Sequence, residues 1–165
     1  MTRRQFLRLL GAAGALGGAY TLVEPRRLTV ERVTVPLTGL SLALDGLTIG
    51  QLSDLHLGPY VSARDVARAV DVLNGLRPSL VVLTGDYVSR RAEHARPCAA
   101  ELARLRAPLG VYASLGNHDH WTNAAAVTEA LQETGLTVLR NAGHLLEAGG
   151  GALWLAGVDD VWERQ

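Results

Sequence analysis

Short apolar runs alternate with amphipathic segments through the middle of the chain. Three largely apolar runs predict strands that are buried on both faces: residues 47–52, 80–83 and 110–115. Three intervening segments predict helices: residues 62–76 with Ser62 as N-cap, residues 98–105, and residues 122–133 ended by Gly135. Because strands that alternate with helices form parallel sheets covered on both faces, the pattern predicts an α/β fold.

Strand-like segments also flank this alternating region. Residues 28–35 are rich in β-branched side chains, and with residues 40–44 they predict an antiparallel pair around a turn at residues 36–39. Near the other end, three short segments predict a β-rich tail: residues 137–139, 144–147 and 152–156. Trp154, in the last of these strands, is expected to lie in the core.

The composition fits one folded domain and excludes several classes of protein. With 165 residues, 48% of them hydrophobic, the chain has room for one core and not for two full domains. Its 16 basic residues are all Arg and are balanced by 16 acidic residues, so no nucleic-acid partner is expected. The single Cys98 excludes an intramolecular disulfide and a CxxC metal site. Any metal must therefore be held by His, Asp, Asn or Glu.

The first two dozen residues have the pattern of an export signal. Residues 1–8 carry three Arg and no acid, and residues 9–23 follow without a charge. Residues 2–8, TRRQFLR, resemble the twin-arginine signal, whose export machinery passes folded proteins across the membrane. Residues 1–24 are thus predicted to be an export signal, with an uncleaved membrane anchor as the alternative. The expected location is the cell envelope, either periplasmic or anchored on the outer side of the membrane.

Each predicted parallel strand is followed by a short polar cluster. Asp54 and His56 follow the first strand, Gly85 and Asp86 the second, and Gly-Asn-His-Asp at residues 116–119 the third. Because parallel strands point the same way, the clusters emerge at one edge of the sheet, where α/β proteins bind ligands. Glycines at positions 85 and 116 are expected to let the backbone turn sharply.

These side chains predict a metal site. Adjacent carboxylates repel each other unless a counter-charge lies between them, and a divalent cation supplies that charge. Mixed imidazole and carboxylate ligands suit Mn²⁺, Fe or Zn²⁺ better than Ca²⁺. Asp86, on the middle strand, is the natural bridge between two cations. Two cations would clamp the attacking and leaving oxygens of a phosphoryl displacement and generate hydroxide at neutral pH.

In order and spacing, the three clusters resemble the first three motifs of the calcineurin-like metallophosphoesterases. The resemblance covers residues 45–160 and implies an α/β sandwich of mixed sheets flanked by helices. Residues 51–58, Trp121 and residues 156–160 look most like a bacterial, membrane-associated branch of that family. That branch includes exported phosphodiesterases and enzymes that act on lipid-linked or nucleotide-sugar pyrophosphates.

The resemblance implies a cofactor and a set of ligands. Two divalent metal ions are implied, with Asp54 and His56 on the first ion, Asp86 bridging both, and Asn117 on the second. A phosphate ester is the implied substrate.

The resemblance also implies two catalytic residues. His118 would face the scissile phosphate, protonating the leaving group or stabilising charge, and Asp119 would orient His118. Trp121 is expected either in the core or as a wall of the pocket, and Tyr60 and Tyr87 are expected to line its mouth.

The family pattern continues with a further His and a Gly-His-x-His motif, and neither occurs before Gln165. His94 and His144 are expected to be ordinary surface residues, and His120 at most a peripheral substrate contact. Residues 28–165 are therefore predicted to be the N-terminal part of a metallophosphoesterase domain, incomplete at its C-terminus.

Three functional hypotheses follow. The first is a metal-dependent hydrolase of a phosphomonoester, phosphodiester or pyrophosphate. The second is an exported remnant that binds metal or phosphate without catalysis, because the later histidine motifs are absent. The third is a membrane-anchored interaction protein in which the α/β domain is only a scaffold.

Overall fold

The structure is a computed structural model, and it describes residues 1–23 and 27–160. The chain forms two compact units, residues 1–36 and residues 37–165. The last five residues of the predicted domain, which include Gln165, lie outside the described residues.

The first unit contains one helix. Helix α1 spans Arg3–Val23, and residues 27–36 have no regular secondary structure. The predicted end of the export signal, at Glu24 and Pro25, lies outside the described residues. Among the helices of the described ranges, none combines the length and the hydropathy needed to cross a membrane.

The predicted antiparallel pair at residues 28–35 and 40–44 was wrong. Residues 28–35 form no strand and are exposed along their whole length, while Leu42–Leu44 form a short 3-10 turn with Ser41 as its cap. β-branched residues favour a strand where packing against neighbours supports it, and an exposed segment lacks that support.

The second unit alternates strands and helices as predicted. Its elements are β1 Ile49–Leu52, α2 Ala63–Leu76, β2 Leu80–Leu83, α3 Ala95–Leu102, β3 Val111–Ala113, α4 Asn117–Glu133, β4 Thr137–Val138, β5 Ala142–Ala148 and β6 Gly151–Gly157. Helix α3 begins three residues before the predicted start, because it continues directly from a 3-10 turn at Ala92–His94. Pro97 is tolerated there, since the first turn of a helix has backbone N–H groups without intrahelical partners.

The main sheet is fully parallel, in the order β1-β2-β3-β4. Strand β4 was predicted in the β-rich tail, but it pairs with β3, Tyr112 opposite Thr137 and Ala113 opposite Val138. Strands β5 and β6 form a separate antiparallel hairpin. The α/β class is therefore confirmed, with a parallel sheet flanked by helices and a second, two-stranded sheet.

The two faces of the main sheet are covered differently. Val81 and Leu83 of β2 pack in a core with residues of α2, α3 and α4, including Val70, Leu102 and Val127. On the opposite face, Leu80, Tyr112 and Leu139 pack with side chains of the hairpin, namely Leu146, Leu153 and Leu155. Both faces of the sheet are therefore covered, as predicted: α2, α3 and α4 cover one face, and β5 and β6 cover the other.

Trp154 does not lie in the core, contrary to the sequence prediction. Successive side chains of β6 point to opposite faces, and Leu153 and Leu155 take the buried face. Trp154 is therefore left 64% exposed, with its indole across the hairpin from Gly143. A Cβ at position 143 would lie 2.5 Å from that ring.

Helix α4 begins inside the third polar cluster. Its first residue is Asn117 rather than Thr122, so Asn117, His118 and Asp119 lie on its first turn. Asn123 has non-helical backbone angles and marks a kink, after which the helix continues to Glu133. Sequence periodicity located only the part after the kink, because the polar first turn carries no apolar stripe.

Candidate metal centre at the carboxyl edge of the sheet

The loops that follow β1 and β2 remain hydrogen-bonded to each other beyond the ends of the strands. The Asp54 N–H donates to the Gly85 carbonyl at 3.1 Å, and the His56 N–H donates to the Asp86 carbonyl at 2.8 Å. The two loops therefore extend the parallel ladder and carry their polar side chains at fixed positions.

Three residues of these loops adopt a backbone conformation that is unfavourable for side chains other than glycine. Asp54, His56 and Asp86 have φ values of 54°, 47° and 58°. Each left-handed residue costs on the order of 1 kcal/mol or more, so the surrounding structure must hold it in place. Such outliers cluster at functional sites, and here all three follow the first two strands of the sheet.

Two imidazoles and a carboxylate meet at this edge. His56, Asp86 and His118 each offer a ligand atom, and these atoms lie within 4.8 Å of one another. The His56 Nε2 atom is 3.5 Å from Asp86 Oδ2, and the His56 and His118 rings meet edge to face with centroids 4.5 Å apart. Asp86 is buried and the two histidines are half-buried.

The remaining predicted ligands lie beside this group. Asp54 Oδ1 is 3.6 Å from His56 Nε2, and the exposed Asp54 carboxylate also accepts a hydrogen bond from Ser53 Oγ. Asn117 is the half-buried first residue of α4, next to His118. The structure thus brings Asp54, His56, Asp86 and His118 together, as the sequence predicted. His118, which was expected to face the phosphate, lies among the possible metal ligands.

Asp86 joins two parts of the site through its two carboxylate oxygens. Its Oδ1 accepts a hydrogen bond from the His118 backbone N–H at 2.9 Å, at the start of α4. Its Oδ2 faces the His56 ring. The carboxylate therefore stands between the β1 loop and the start of α4.

Two glycines allow the β2 and β3 loops to approach closely. Gly85 has a φ of +98°, and a Cβ there would lie 2.2 Å from the Gly116 nitrogen. Gly116 has ordinary extended angles, so the expected sharp turn at this position was wrong. Its need for glycine is steric instead, because a Cβ at Gly116 would lie 2.2 Å from Asp86 Oδ1.

Asp119 holds the backbone of the site and does not contact the His118 ring through any hydrogen bond in the described structure. Its fully buried carboxylate accepts hydrogen bonds from the backbone N–H groups of Asp86, Tyr87 and Gly116 at 2.8–3.0 Å, and of Val88 at 3.3 Å. Burial raises the pKa of Asp119, and the four N–H donors partly offset that rise.

The expectation that Asp119 orients His118 therefore needs correction. A carboxylate at the third position of a helix turns back toward the helix start, where free backbone N–H groups lie. The His118 Nδ1 atom instead lies 3.0 Å from the Ser89 carbonyl, in the loop after β2. Asp119 positions the loop that carries Asp86, and Ser89 positions the His118 ring.

Trp121 is exposed beside His118, whereas Tyr87 is buried. The Trp121 ring packs beside the His118 ring with centroids 4.8 Å apart and is 64% exposed, which favours the predicted pocket wall over the core. Tyr87 is buried, and its hydroxyl lies 2.8 Å from the Ser114 carbonyl. The expectation that Tyr87 lines the mouth was wrong, while Tyr60 is 93% exposed.

Sequence reasoning missed a buried charge cluster next to the site. The His120 Nε2 atom lies 2.7 Å from Asp159 Oδ1, and Arg140 Nε donates to Asp159 Oδ2 at 2.8 Å. The His120 and Asp159 side chains are 4% and 3% exposed. The buried side chain of His120 thus joins α4 to the segment after β6, so His120 has a structural contact in place of even the peripheral substrate contact that the sequence left open.

The partners of Asp159 set its protonation. Burial alone would raise the pKa of Asp159, but hydrogen bonds from His120 and Arg140 outweigh burial and hold that pKa below its usual range. No local sequence pattern distinguishes His120, whose side chain is buried, from His118 and His144. The long separation of Asp159 from His120 hides their contact from any local pattern.

His94 also differs from its predicted role as an ordinary surface residue. It is half-buried, and its Nδ1 atom lies 3.1 Å from the carbonyl of Leu57, directly after His56. His144 is exposed, as predicted, with its ring near Tyr112. His94 therefore anchors the β1 loop from outside the metal-ligand group.

Comparison with known proteins identifies the family. The model of the calcineurin-like phosphoesterases matches residues 47–161 of this chain, a region that contains the sheet and all three polar clusters. The chain belongs to the calcineurin-like phosphoesterase family, whose members are metal-dependent phosphoester hydrolases. This confirms the resemblance seen in the sequence.

Individual relatives are similar over most of the chain. The uncharacterized metallophosphoesterase YkuE of Bacillus subtilis is 35% identical over 98% of this chain, which covers 60% of that protein. A transmembrane protein with metallophosphoesterase domain from Danio rerio is 32% identical over 94% of this chain, which covers 36% of that protein. The UDP-2,3-diacylglucosamine pyrophosphatase LpxG of Chlamydia trachomatis is 38% identical over 61% of this chain. The chain thus spans only part of the length of these relatives.

The donor set fits a divalent transition metal. Two imidazole nitrogens and a carboxylate suit Mn²⁺, Fe or Zn²⁺, and the conformation of the Asp54, His56 and Asp86 backbone directs these groups to one place. Within the described residues, no Arg pairs with the buried Asp86, and the imidazole of His56 lies 3.5 Å from its carboxylate. A metal ion would supply the counter-charge that this carboxylate needs.

Proposed function

We propose that this protein hydrolyses a phosphate ester or pyrophosphate bond at a centre of two divalent metal ions. The observation that carries the proposal is the convergence of His56, Asp86 and His118 within 4.8 Å at the carboxyl edge of the sheet. Membership of the phosphoesterase family supports the same chemistry. The ions, when bound, would supply hydroxide from water and neutralise charge on the phosphoryl oxygens.

Each of the four predicted metal ligands has a proposed role in that reaction. Asp54 and His56 would hold the first ion, Asp86 would contribute to both, and Asn117 would hold the second. The position of Asp86 supports its bridging role, since its two oxygens face different parts of the site.

His118 is proposed to act on the substrate. Its Nδ1 atom lies near the Ser89 carbonyl, which fixes the ring and supports the tautomer with a proton on Nδ1. Its Nε2 atom is then the one that would contact the phosphate or the leaving oxygen. The ring also lies within reach of the metal ligands, so His118 as an additional ligand is the alternative role for this residue.

Hydrolysis of a simple diester tests the proposal. We expect the chain, after removal of bound metal and addition of Mn²⁺, to hydrolyse bis(p-nitrophenyl) phosphate, and we expect His118→Ala to lower kcat by about a hundredfold or more. Glu129→Ala, on the exposed side of α4, is the control. Hydrolysis that is unaffected by His118→Ala, or that is absent with each of Mn²⁺, Zn²⁺ and Fe²⁺, would contradict the proposal.

The substrate is proposed to be a phosphate ester of the cell envelope, lipid-linked or carrying a nucleotide sugar. The similarity to a pyrophosphatase named for UDP-2,3-diacylglucosamine supports this class. Comparison of kcat/KM for a nucleotide-sugar pyrophosphate and for a simple phosphomonoester tests it, and a strong preference for the monoester would contradict it.

We also propose that residues 1–24 direct export through the twin-arginine machinery, to the periplasmic or outer side of the membrane. The paired Arg3 and Arg4 followed by Phe6 and Leu7 support this role. Fusion of residues 1–30 to a reporter that is active only after export tests it. Replacement of both arginines by Lys should abolish export, and unchanged export would contradict the proposal.

A further inference from the structure

Trp121 presents a large aromatic surface beside the proposed site. The residue is 64% exposed, although burial of an indole is strongly favourable. The ring lies against His118, with centroids 4.8 Å apart and an interplanar angle of 51°. His118 in turn meets His56 edge to face. Three rings therefore form a row that begins at the metal ligands and ends at an exposed indole.

The fold holds Trp121 in this position. Residues three apart on a helical turn share one face, so Trp121 lies on the same face as His118. The two residues between them are buried, Asp119 against backbone N–H groups and His120 against Asp159. These two anchors fix the first turn of α4 and leave Trp121 on the side of the site. The exposure of this indole therefore follows from fixed contacts of its neighbours.

The polar groups of the neighbouring site at His118 indicate what the indole binds. The loops beside His118 contribute polar groups, including the exposed carboxylate of Asp54 and the carbonyl of Ser89. An extended apolar chain would require a continuous apolar surface, whereas a planar ring needs only one π-face and tolerates polar neighbours. One exposed indole next to a site of polar groups therefore favours a flat aromatic group over an alkyl chain.

We propose that Trp121 is a specificity-determining residue that stacks on a planar aromatic group of the phosphate ester, such as a nucleobase or an aryl group. This inference rests on the proposed phosphoesterase function and assigns its substrate class. Trp121 takes no part in the chemical step. It holds the organic part of the substrate while the phosphate lies at His118.

Two diesters with the same leaving group test the proposal. Bis(p-nitrophenyl) phosphate and methyl p-nitrophenyl phosphate differ only in the group that stays on phosphorus, and the ratio of their kcat/KM values is measured with Mn²⁺. We expect Trp121→Ala to lower this ratio roughly tenfold, mainly through KM, and Trp121→Phe to restore most of it. Trp154→Ala is the matched control, because Trp154 is equally exposed and lies on the hairpin.

Binding gives a second readout that does not depend on turnover. In a Trp154→Phe, Trp162→Phe background, Trp121 is the remaining tryptophan, since the chain has three. We expect AMP to quench its fluorescence at concentrations about tenfold lower than ribose 5-phosphate, which has the same phosphate and no base. Equal quenching by the two would overturn the proposal.

The outcomes separate this inference from the proposed function. If the wild-type chain hydrolyses neither diester, the proposed function fails, and the quenching comparison still decides whether Trp121 stacks on a base. If hydrolysis occurs but Trp121→Ala leaves the ratio unchanged, the specificity role is overturned and the proposed function stands. If Trp121→Ala lowers kcat/KM only for dodecyl p-nitrophenyl phosphate, the indole binds an apolar chain, and the proposal is also overturned.

Discussion

Two buried carboxylates near the start of α4 are stabilised in opposite ways. Asp119 is surrounded by backbone N–H donors of the site loops, and burial raises its pKa. Asp159 pairs with His120 and Arg140, whose hydrogen bonds outweigh its burial and lower its pKa. The first carboxylate shapes the backbone that carries Asp86, and the second joins α4 to the segment after β6.

The difference shows how the same residue type serves either a site or the fold. Neutral donors such as backbone N–H groups orient a carboxylate without cancelling its charge, so Asp119 remains costly to bury. It is retained because no other side chain of its size accepts from several N–H groups at once. The burial of Asp159 costs less, because an Arg and a His supply partners for its charge.

The largest effect is expected from Asp119→Asn. An amide has one acceptor oxygen and would direct its NH₂ group at backbone donors, so buried N–H groups of the Asp86 loop would lose their partner. We expect the free energy of unfolding to fall by about 2–4 kcal/mol and Mn²⁺ affinity to fall with it. Urea denaturation and calorimetric titration measure the two effects.

Asp71→Asn is the matched control for this substitution. Asp71 is exposed and pairs with Arg104, so loss of its charge is expected to cost less than about 1 kcal/mol. Equal losses of unfolding free energy and of Mn²⁺ affinity in the two variants would mean that the buried N–H contacts of Asp119 do not support the site.

A smaller and more local effect is expected from Gly116→Ala. The added Cβ would lie 2.2 Å from Asp86 Oδ1, so this carboxylate must move. We expect Mn²⁺ affinity to fall at least tenfold, with a loss of stability of about 1–3 kcal/mol. Gly75→Ala, whose Cβ would meet nothing within 4 Å, should leave metal binding unchanged and stabilise α2 slightly. Unchanged affinity in Gly116→Ala would exclude a metal role for Asp86 in this geometry.

The smallest effect, and the one that depends on pH, is expected from Asp159→Asn. Because the pKa of Asp159 is lower in the folded chain than in the unfolded chain, its ionised form stabilises the fold above the usual Asp pKa of about 3.9. That contribution is lost as pH falls through the lower, folded pKa. We expect Asp159→Asn to lower the free energy of unfolding by about 1–2 kcal/mol at pH 7 and by less below pH 4. Unfolding by urea at several pH values measures it, and a loss that grows toward low pH would reverse the assignment.

Local sequence patterns predicted the parallel strands, α2 and the meeting of Asp54, His56 and Asp86. Ser62 and Asp65 form the reciprocal cap that starts α2, and such caps depend only on residues close in the chain. The convergence of the clusters was predictable because parallel strands end at one edge. These features need no knowledge of distant contacts.

Features that depend on distant contacts were not predictable. The burial of His120 rests on Asp159, and the exposed side of the hairpin holds Trp154 because Leu153 and Leu155 occupy the other side. Residues 28–35 have strand composition, but exposure leaves them without support. The orientation of Asp119 toward backbone N–H groups likewise required the loop after β2 to be in place.

Calorimetric titration of the metal-free chain with Mn²⁺ tests the proposed metal centre most directly. The convergence of His56, Asp86 and His118 predicts saturable binding, with two ions per chain, that Asp86→Asn abolishes and Asp71→Asn leaves unchanged. Binding by Asp86→Asn with the affinity and stoichiometry of the wild type would contradict the central claim that this edge of the sheet is a metal centre.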